Sequence, residues 1–509
     1  MMIYSIFLVF LTLFFIFSLI KHLKKSSSKN SHLLLPPGPT GLPLIGALHL
    51  LDDLPHRAFH KLSSQYGPLM FLQLGSIPTL VVSSSDIATE IFKYHDITFS
   101  DRPVLYAAKT FSYNCSTMSF APYGDYWREI RKIVMLELLS SKRVQAFQAV
   151  RAQELELFLD SIARESSASR PVNLSELTLL LSNNIVCRIA FGKRRCEDSS
   201  EEGDGDYAGK FHDMLRETQE LLGGFCLADF FPWLGWVNKF NGLDRRIQKA
   251  FRELDEFLDT IIKEHKEFHR HEAEHEDLVD VLIRIQNDPN QAISITNDQI
   301  KGVLLDIFVA GTDTSSATLV WTMTELIRNP EVMRKAQEEV RKVGKHKEML
   351  EESDVSNLTY LKLVVKESLR LHPPAPLLLP RETTQACTIK GFHIPAKTRV
   401  FVNAKAIATD PNGGWENPLE FKPERFLESS VDHYKGQRFE MLPFGGGRRA
   451  CPGVNFAMPM IEFALANLLC RFEWKLPSGV KSEQLDMDEA FGLTMHKKYH
   501  LCLVANPHV

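Results

Sequence analysis

The run Phe444 to Gly453, F-G-G-G-R-R-A-C-P-G, sets one thiol, Cys451, behind a glycine-rich loop and ahead of an apolar stretch with helical spacing. A thiolate is a strong metal ligand, and a helix N-terminus just beyond the sulfur favours its anionic form. The consecutive glycines Gly445 to Gly447 let the backbone turn tightly and approach a flat partner closely. Arg448 and Arg449 add positive charge suited to a carboxylate-bearing ligand. A second constellation is Ala310-Gly311-Thr312-Asp313-Thr314-Ser315, inside a run that is otherwise apolar and helical in period. There an acid, Asp313, adjoins a hydroxyl, Thr314, a pair able to pass protons. Taken singly, each feature has an inert reading: a buried cysteine is usually a small hydrophobe, and such a helix can simply be kinked. No Gly-Lys-Ser/Thr follows the glycines, which argues against a nucleotide phosphate loop.

The elements that must position these groups are legible around them. Thr296 to Gln299 reads as a capping box, opening a long helix with Ile300, Val303, Leu304, Ile307 and Phe308 on one face and ending near Arg328. Gly311 costs that helix about 1 kcal/mol relative to alanine, and Asp313, Thr314 and Ser315 compete for its backbone hydrogen bonds, so a widened turn is expected there. Leu361 to Leu371 is helical by pattern and stops before Pro373-Pro374, with Glu367 and Arg370 on one face. Trp127 and Arg131, four apart, likewise share a helical face. Pro459 falls inside the apolar stretch 454–469, where a bend or an irregular first turn is expected. Helical periodicity also runs through residues 140–165, 243–270 and 300–345.

Length and composition set the frame. Across residues 40–509 no Gly/Ser linker, repeat or composition shift divides the chain. The 59 basic residues nearly balance the 63 acidic ones, which argues against a nucleic-acid binder dominated by phosphate contacts. Eight scattered cysteines without a C-x-x-C pair read as reduced thiols in a cytosolic setting. Ile3 to Ile20 is uncharged and long enough to span a bilayer, and Lys21, His22, Lys24 and Lys25 follow it. Positive charge after the apolar run predicts an uncleaved anchor with the remaining chain on the cytosolic side. Pro36-Pro37-Gly38-Pro39 then forms a stiff hinge. The expected division is a transmembrane anchor (1–21), a basic and proline-rich linker (22–39) and one catalytic domain (40–509).

The cysteine run resembles the haem-binding loop of the cytochrome P450 family, F-x-x-G-x-R-x-C-x-G, with Phe444, Gly447, Arg449, Cys451 and Gly453 at its specified positions. The A-G-T-D-T-S stretch resembles the family's oxygen-activation motif. Glu367 and Arg370 with the later Pro-Glu-Arg-Phe at 423–426 resemble its E-x-x-R network, and Trp127 with Arg131 its W-x-x-x-R helix. All occur in family order, similar to plant A-type microsomal members. The resemblance implies a mainly α fold with a smaller β-rich portion, and haem b as cofactor with Cys451 as its iron ligand. It implies haem contacts from Trp127, Arg131, Arg381, Phe444, Arg449 and Gly453, and a proton route through Asp313 and Thr314. It further implies an endoplasmic-reticulum membrane location, and electrons from NADPH through a separate cytochrome P450 reductase, with cytochrome b5 as a further donor. Lys132 and Arg448 are candidates for the docking face. The implied reaction is insertion of one oxygen atom from O2 into a lipophilic plant metabolite, a terpenoid or terpenoid indole alkaloid being favoured. By the same analogy the pocket draws on residues 102–120, 308–314, 377–379 and 491–494. The alternatives are a haem-thiolate isomerase, dehydratase or oxidative cyclase, which typically lacks the distal threonine, and a membrane-bound haem sensor or carrier.

Overall fold

A computed structural model describes residues 34–192, 207–267, 276–291, 293–345, 347–427, 438–490 and 492–508, together with 11, 12, 14–16 and 434. Most of the expected anchor and linker (1–39) therefore lies outside the described residues. The architecture is mainly α with a smaller β portion, as expected.

The helix Asn297–Arg328 is the axis of the molecule. Its capping box forms as read: Thr296 Oγ1 accepts from the Gln299 N–H at 3.3 Å, and Gln299 Oε1 accepts from the Thr296 N–H at 2.9 Å. Nearly every residue from Ser315 to Ile327 is buried, because the helix is enclosed by Leu174–Phe191, Thr359–Leu371 and Val454–Arg471. Asn297–Arg328 and Leu174–Phe191 are long and apolar enough to cross a membrane, but they are apolar because they are core helices. The periodic run 300–345 is two helices, not one. Pro330 lacks an N–H to continue the ladder and opens a second helix, Pro330–Gly344. Residues 140–165 likewise divide, into Ser141–Ala146 and Gln148–Ser167. Val454–Arg471 passes through Pro459 as one helix, the proline removing one backbone hydrogen bond beyond the first turn.

The β portion packs against one end of this body. Its main sheet runs Leu69–Leu74, Ile77–Val82, Arg399–Val402, Arg381–Glu382 in spatial order. The outer pairings are antiparallel and the central one parallel, with Leu80 beside Val400 and Arg381 also beside Val400. A three-stranded sheet of Val172–Asn173, Cys502–Pro507 and Phe472–Lys475 ties the C-terminal segment to the helices.

Among the described residues, the segment leading to the cysteine loop has little regular structure and is held by buried charge. Glu367 and Arg370 are both fully buried. Arg370 donates from Nε to Glu367 Oε2 at 2.7 Å and from Nη2 to Oε1 at 2.8 Å, a bidentate pair. Arg425 Nε and the Lys422 N–H both reach Oε1 at 2.9 Å. The remaining guanidinium donors go to main-chain carbonyls of Ala408, Glu416, Asn417, Pro418 and Glu420. Both guanidiniums lie near the Trp415 ring, and its indole N–H donates to the Glu440 carbonyl at 3.3 Å, four residues before Phe444. The E-x-x-R pair thus organises the loop support through carbonyls, which sequence spacing cannot reveal. Glu367→Ala would leave two guanidiniums without their carboxylate, at a cost of about 3–5 kcal/mol. It should sharply lower the thermal midpoint and yield of folded protein, and an unchanged melting curve would contradict this assignment.

Candidate functional site

Between the helix Asn297–Arg328 and the cysteine loop lies a mainly apolar cavity of about 300 Å3. Cys451, Phe444, Gly453 and Arg449 line one wall, and Ala310, Gly311 and Thr314 line the helix side. The expected pocket stretches contribute Arg102, Phe120, Leu378, Leu379, Leu493 and Thr494, whereas Phe308 is buried in the core behind the helix. Phe491 lies outside the described residues.

The loop is shaped by its glycines and closed by its own backbone. The Cys451 N–H donates to the Phe444 carbonyl at 2.8 Å. Gly447 has φ +66°, and a Cβ there would come within 2.1 Å of Asp96 Oδ1. At Gly446 a Cβ would come within 2.9 Å of the Phe92 ring. Only glycine fits either position. Asp96, which no sequence pattern singled out, accepts the Arg448 N–H at 3.1 Å and pairs with Arg448 Nε at 3.3 Å. Arg448 is thus tied to the loop. Lys132 is exposed and within 3.5 Å of Glu129.

The exposed face of Cys451 is turned to the cavity, while protein surrounds it on the other sides. Burial pushes its thiol pKa up, opposed by the Gly453 N–H, 3.3 Å from Sγ, and by the charge of Arg131. A metal ion would displace that proton, since metal binding favours the thiolate. The seven described cysteines are all free thiols, in line with the reduced state expected.

Four guanidiniums surround the same cavity. Arg449 donates to the carbonyls of Ser100 (2.8 Å), Met118 (3.3 Å) and Ala121 (2.7 Å). Arg381 donates to Gly446 (2.7 Å) and Phe99 (3.2 Å), and Arg131 to Ala450 (2.8 Å). The fourth is Arg102, which entered the sequence reading only as the edge of a pocket stretch. It donates to Ser119, Leu379 and Pro380 carbonyls. Burial lowers the pKa of all four, and repulsion by neighbouring arginines adds to the effect in three: Arg381 falls to about 10 and Arg449 to about 9, and Arg102 moves further down. Among the described residues the one carboxylate recorded within ion-pairing distance of these groups is Asp96, 4.0 Å from Arg381. Positive charge is therefore concentrated, desolvated and only partly compensated, which suits an anionic ligand. The Trp127 indole N–H, expected to serve a ligand carboxylate, donates instead to the Met118 carbonyl at 3.0 Å, since a buried N–H must be paired. Its ring faces Arg449, 4.2 Å from centroid to guanidinium carbon, with Arg131 at 5.5 Å.

On the helix side, the expected widened turn at Gly311 is absent: the helix is continuous, and Thr314 Oγ1 donates to the Ala310 carbonyl at 2.7 Å. The local polarity is absorbed by this back-bond to the preceding turn. Thr314 lines the cavity, whereas Asp313 does not; its carboxylate pairs with His496 Nε2 at 2.8 Å. Asp306, two turns before Thr314, is the acid that does line the cavity. Burial pushes it up to about 6, opposed by the Ser119 N–H, which it accepts at 2.9 Å. Since Arg102 takes the Ser119 carbonyl, the backbone of Ser119 is held on both its N–H and its carbonyl. The pairing of Asp306 with Arg102 is not legible in the sequence because each is an ordinary charge in its local segment, and only the fold faces them across Ser119.

A thiol in one cavity wall and buried cations around its rim form the donor set for a flat metal-bearing ligand with carboxylate groups. The comparisons agree. The family model described as cytochrome P450 matches residues 36–503. Cytochrome P450 71A9 of Glycine max is 64% identical over 502 residues, covering 98% of each chain. Strychnine-11-hydroxylase of Strychnos nux-vomica is 55% identical over 500 residues, covering 98% of this chain and 96% of the relative. Premnaspirodiene oxygenase of Hyoscyamus muticus is 45% identical over 514 residues, covering 100% and 99% respectively. A solved zebra fish cytochrome P450 with abiraterone superposes with a TM-score of 0.74 at 25% identity, covering 90% of this chain and all of its own. With its cysteine loop, helical fold and full-length relatives in agreement, the chain belongs to the cytochrome P450 family of haem-dependent monooxygenases.

Proposed function

We propose that this protein is a haem-thiolate monooxygenase that inserts one oxygen atom from O2 into a lipophilic plant specialised metabolite, a terpenoid or an alkaloid. The observation that carries the reading is the mainly apolar cavity with Cys451 on one wall and Thr314 on the other, its charged groups the four arginines and Asp306. Cys451 would ligate the iron of haem b, and Arg102, Arg131, Arg381 and Arg449 would balance its carboxylates, with Phe444 and Gly453 packed at the loop. When bound, the thiolate-ligated haem supplies oxygen binding and O–O bond cleavage, favoured by the electron-donating sulfur. The chain's own contributions are to hold the thiol by the closed loop, to keep water out with an apolar lining, and to present the Thr314 hydroxyl. Apolar lining with a few fixed polar groups suits a lipophilic small molecule. The relatives named for strychnine 11-hydroxylation and premnaspirodiene oxygenation support the alkaloid and terpenoid classes.

We assign residues 40–509 to the catalytic domain, with 1–21 as an anchor in the endoplasmic-reticulum membrane and 22–39 as its linker. Exposed Trp233, Trp236, Phe240, Leu42 and Leu44 support an apolar face towards that membrane, and the Phe14 ring lies 5.8 Å from that of Trp233. Electrons would come from NADPH through a membrane-bound reductase, with cytochrome b5 as a further donor.

Cys451→Ala should abolish the carbon-monoxide difference band diagnostic of thiolate-ligated ferrous haem; a persisting band would exclude Cys451 as the ligand. Arg449→Ala should weaken haem retention by about tenfold or more, the value of one charge-assisted hydrogen bond, read as haem per folded protein after gel filtration. Thr314→Ala should leave haem binding intact yet lower product formed per NADPH several-fold. Turnover of a terpenoid and alkaloid panel with reductase and NADPH tests the substrate class, and consistent failure of both sets against another lipophilic class would refute it.

A further inference from the structure

Oxygen insertion consumes two electrons and two protons: RH + O2 + 2 e− + 2 H+ gives ROH + H2O. The electrons come from the reductase, but the protons must travel through the protein to an apolar cavity. Asp313 is next to cavity-lining Thr314, yet its own side chain is only 7% exposed and does not line the cavity. Its Oδ1 lies 2.8 Å from His496 Nε2, and its buried Oδ2 has no protein hydrogen-bond partner among the described residues. His496 is different in kind: its side chain is 38% exposed, while its Nε2 lies against the buried acid.

The fold fixes this pair firmly. His496 begins the short strand His496–Lys497, antiparallel to Glu489–Ala490 and two residues beyond cavity-lining Thr494. The Met495 carbonyl between them accepts the Trp321 indole N–H at 3.1 Å, pinning the strand to the helix that carries Asp313. The other charged groups around it are already engaged. Glu489, on the facing strand, is taken by His56, Arg57 and Lys405. Lys497 donates to the Asp486 carbonyl and lies over the Trp321 ring. On the helix, Asp313 is the charged group facing His496.

Resting on the monooxygenase reading, we propose that His496 is the proton-entry residue of this enzyme, positioning Asp313 and reloading it from solvent during turnover. The imidazolium gives its Nε2 proton to Asp313 Oδ1, leaving a neutral imidazole and a neutral carboxylic acid. The acid releases that proton on the Thr314 side and returns to carboxylate, and water reprotonates the imidazole. Burial works against the imidazolium, but the charge and hydrogen bond of Asp313 outweigh it and hold the His496 pKa above its usual range. The route is therefore loaded at neutral pH and below, and runs down as pH rises through that elevated pKa.

The test uses the full-length haem-loaded enzyme with its reductase, following substrate-free NADPH oxidation in H2O and D2O between about pH 6 and 9. Histidine C2-proton exchange, read by mass spectrometry, reports the His496 pKa independently of activity. The proposal expects the wild-type rate to fall with rising pH along the His496 titration, and the His496 pKa to drop in Asp313→Asn. His496→Gln should slow oxidation about tenfold or more and erase that pH limb, in line with the loss of a positioned acid–base group. His496→Lys retains a cation for Asp313, so it should fold as wild type and move the limb upward rather than restore it. A wild-type pH profile in His496→Gln or His496→Lys, or a His496 pKa indifferent to Asp313→Asn, overturns the relay. The carbon-monoxide difference spectrum of each variant keeps the readings apart. Its thiolate band lost from the wild type would strike down the haem-thiolate assignment, whereas an intact band with an unchanged profile strikes down the relay alone.

Discussion

Glu367 is the charge on which the approach to the cysteine loop depends. It is fully buried, yet one of its oxygens accepts from Arg370, from Arg425 and from the Lys422 backbone. A carboxylate so placed is tolerable only because every lone pair it exposes to the interior has a donor. In return it fixes two guanidiniums, whose remaining donors hold the carbonyls of residues 408 and 416–420. Those carbonyls belong to chain with little regular structure, where backbone polar groups would otherwise go unpaired. Through Trp415 and the Glu440 carbonyl the order reaches the residues that lead into Phe444. The position of a thiol is thereby decided by a carboxylate more than eighty residues earlier in the chain.

The cavity rim inverts that arrangement. Around Glu367 cations outnumber the acid but share it. At the rim, Arg102, Arg131, Arg381 and Arg449 meet mostly carbonyl oxygens, which supply hydrogen bonds without net charge. Carbonyls hold guanidiniums in a fixed direction but cannot neutralise them, so burial lowers their pKa values, and repulsion between neighbours adds to this at Arg102 and Arg449. An apolar interior that carries such uncompensated charge is costly for folding alone and is repaid when an anionic ligand binds. The helix side shows a related division: Thr314 lines the cavity with its hydroxyl bonded to its own helix, while Asp313 pairs with His496 away from the lining.

Much of this was legible in the chain. The capping box at Thr296, the stop at Pro373, the mainly α class and the Cys451 loop follow from local chemistry: caps, proline sterics, glycine permissiveness and hydrophobic period act within a few residues. The departures are equally physical. Pro330 divides a periodic run because hydrophobic spacing continues across a break that the missing N–H enforces. Gly311 leaves the helix intact because packing of the helix against Leu174–Phe191, Thr359–Leu371 and Val454–Arg471 outweighs a local propensity cost near 1 kcal/mol. Trp127 turns its N–H to the Met118 carbonyl, which it shares with Arg449, because that carbonyl lies on a loop whose course no spacing rule describes.

The sequence alone singled out the groups suited to chemistry: one cysteine in a glycine loop, an acid beside a threonine in an apolar helix, and arginines enough to hold an anion. Residue type and short-range spacing are sufficient for that, since they set nucleophilicity, charge and helical face. Only the tertiary structure decided which charges meet. Arg102 and Asp306 hold the backbone of Ser119 at its carbonyl and its N–H, Asp96 secures the loop at Arg448, and His496 reaches Asp313 from a strand more than 180 residues later. Such pairings rest on long-range packing, where a charge that is unremarkable along the chain becomes decisive once burial removes water from around it.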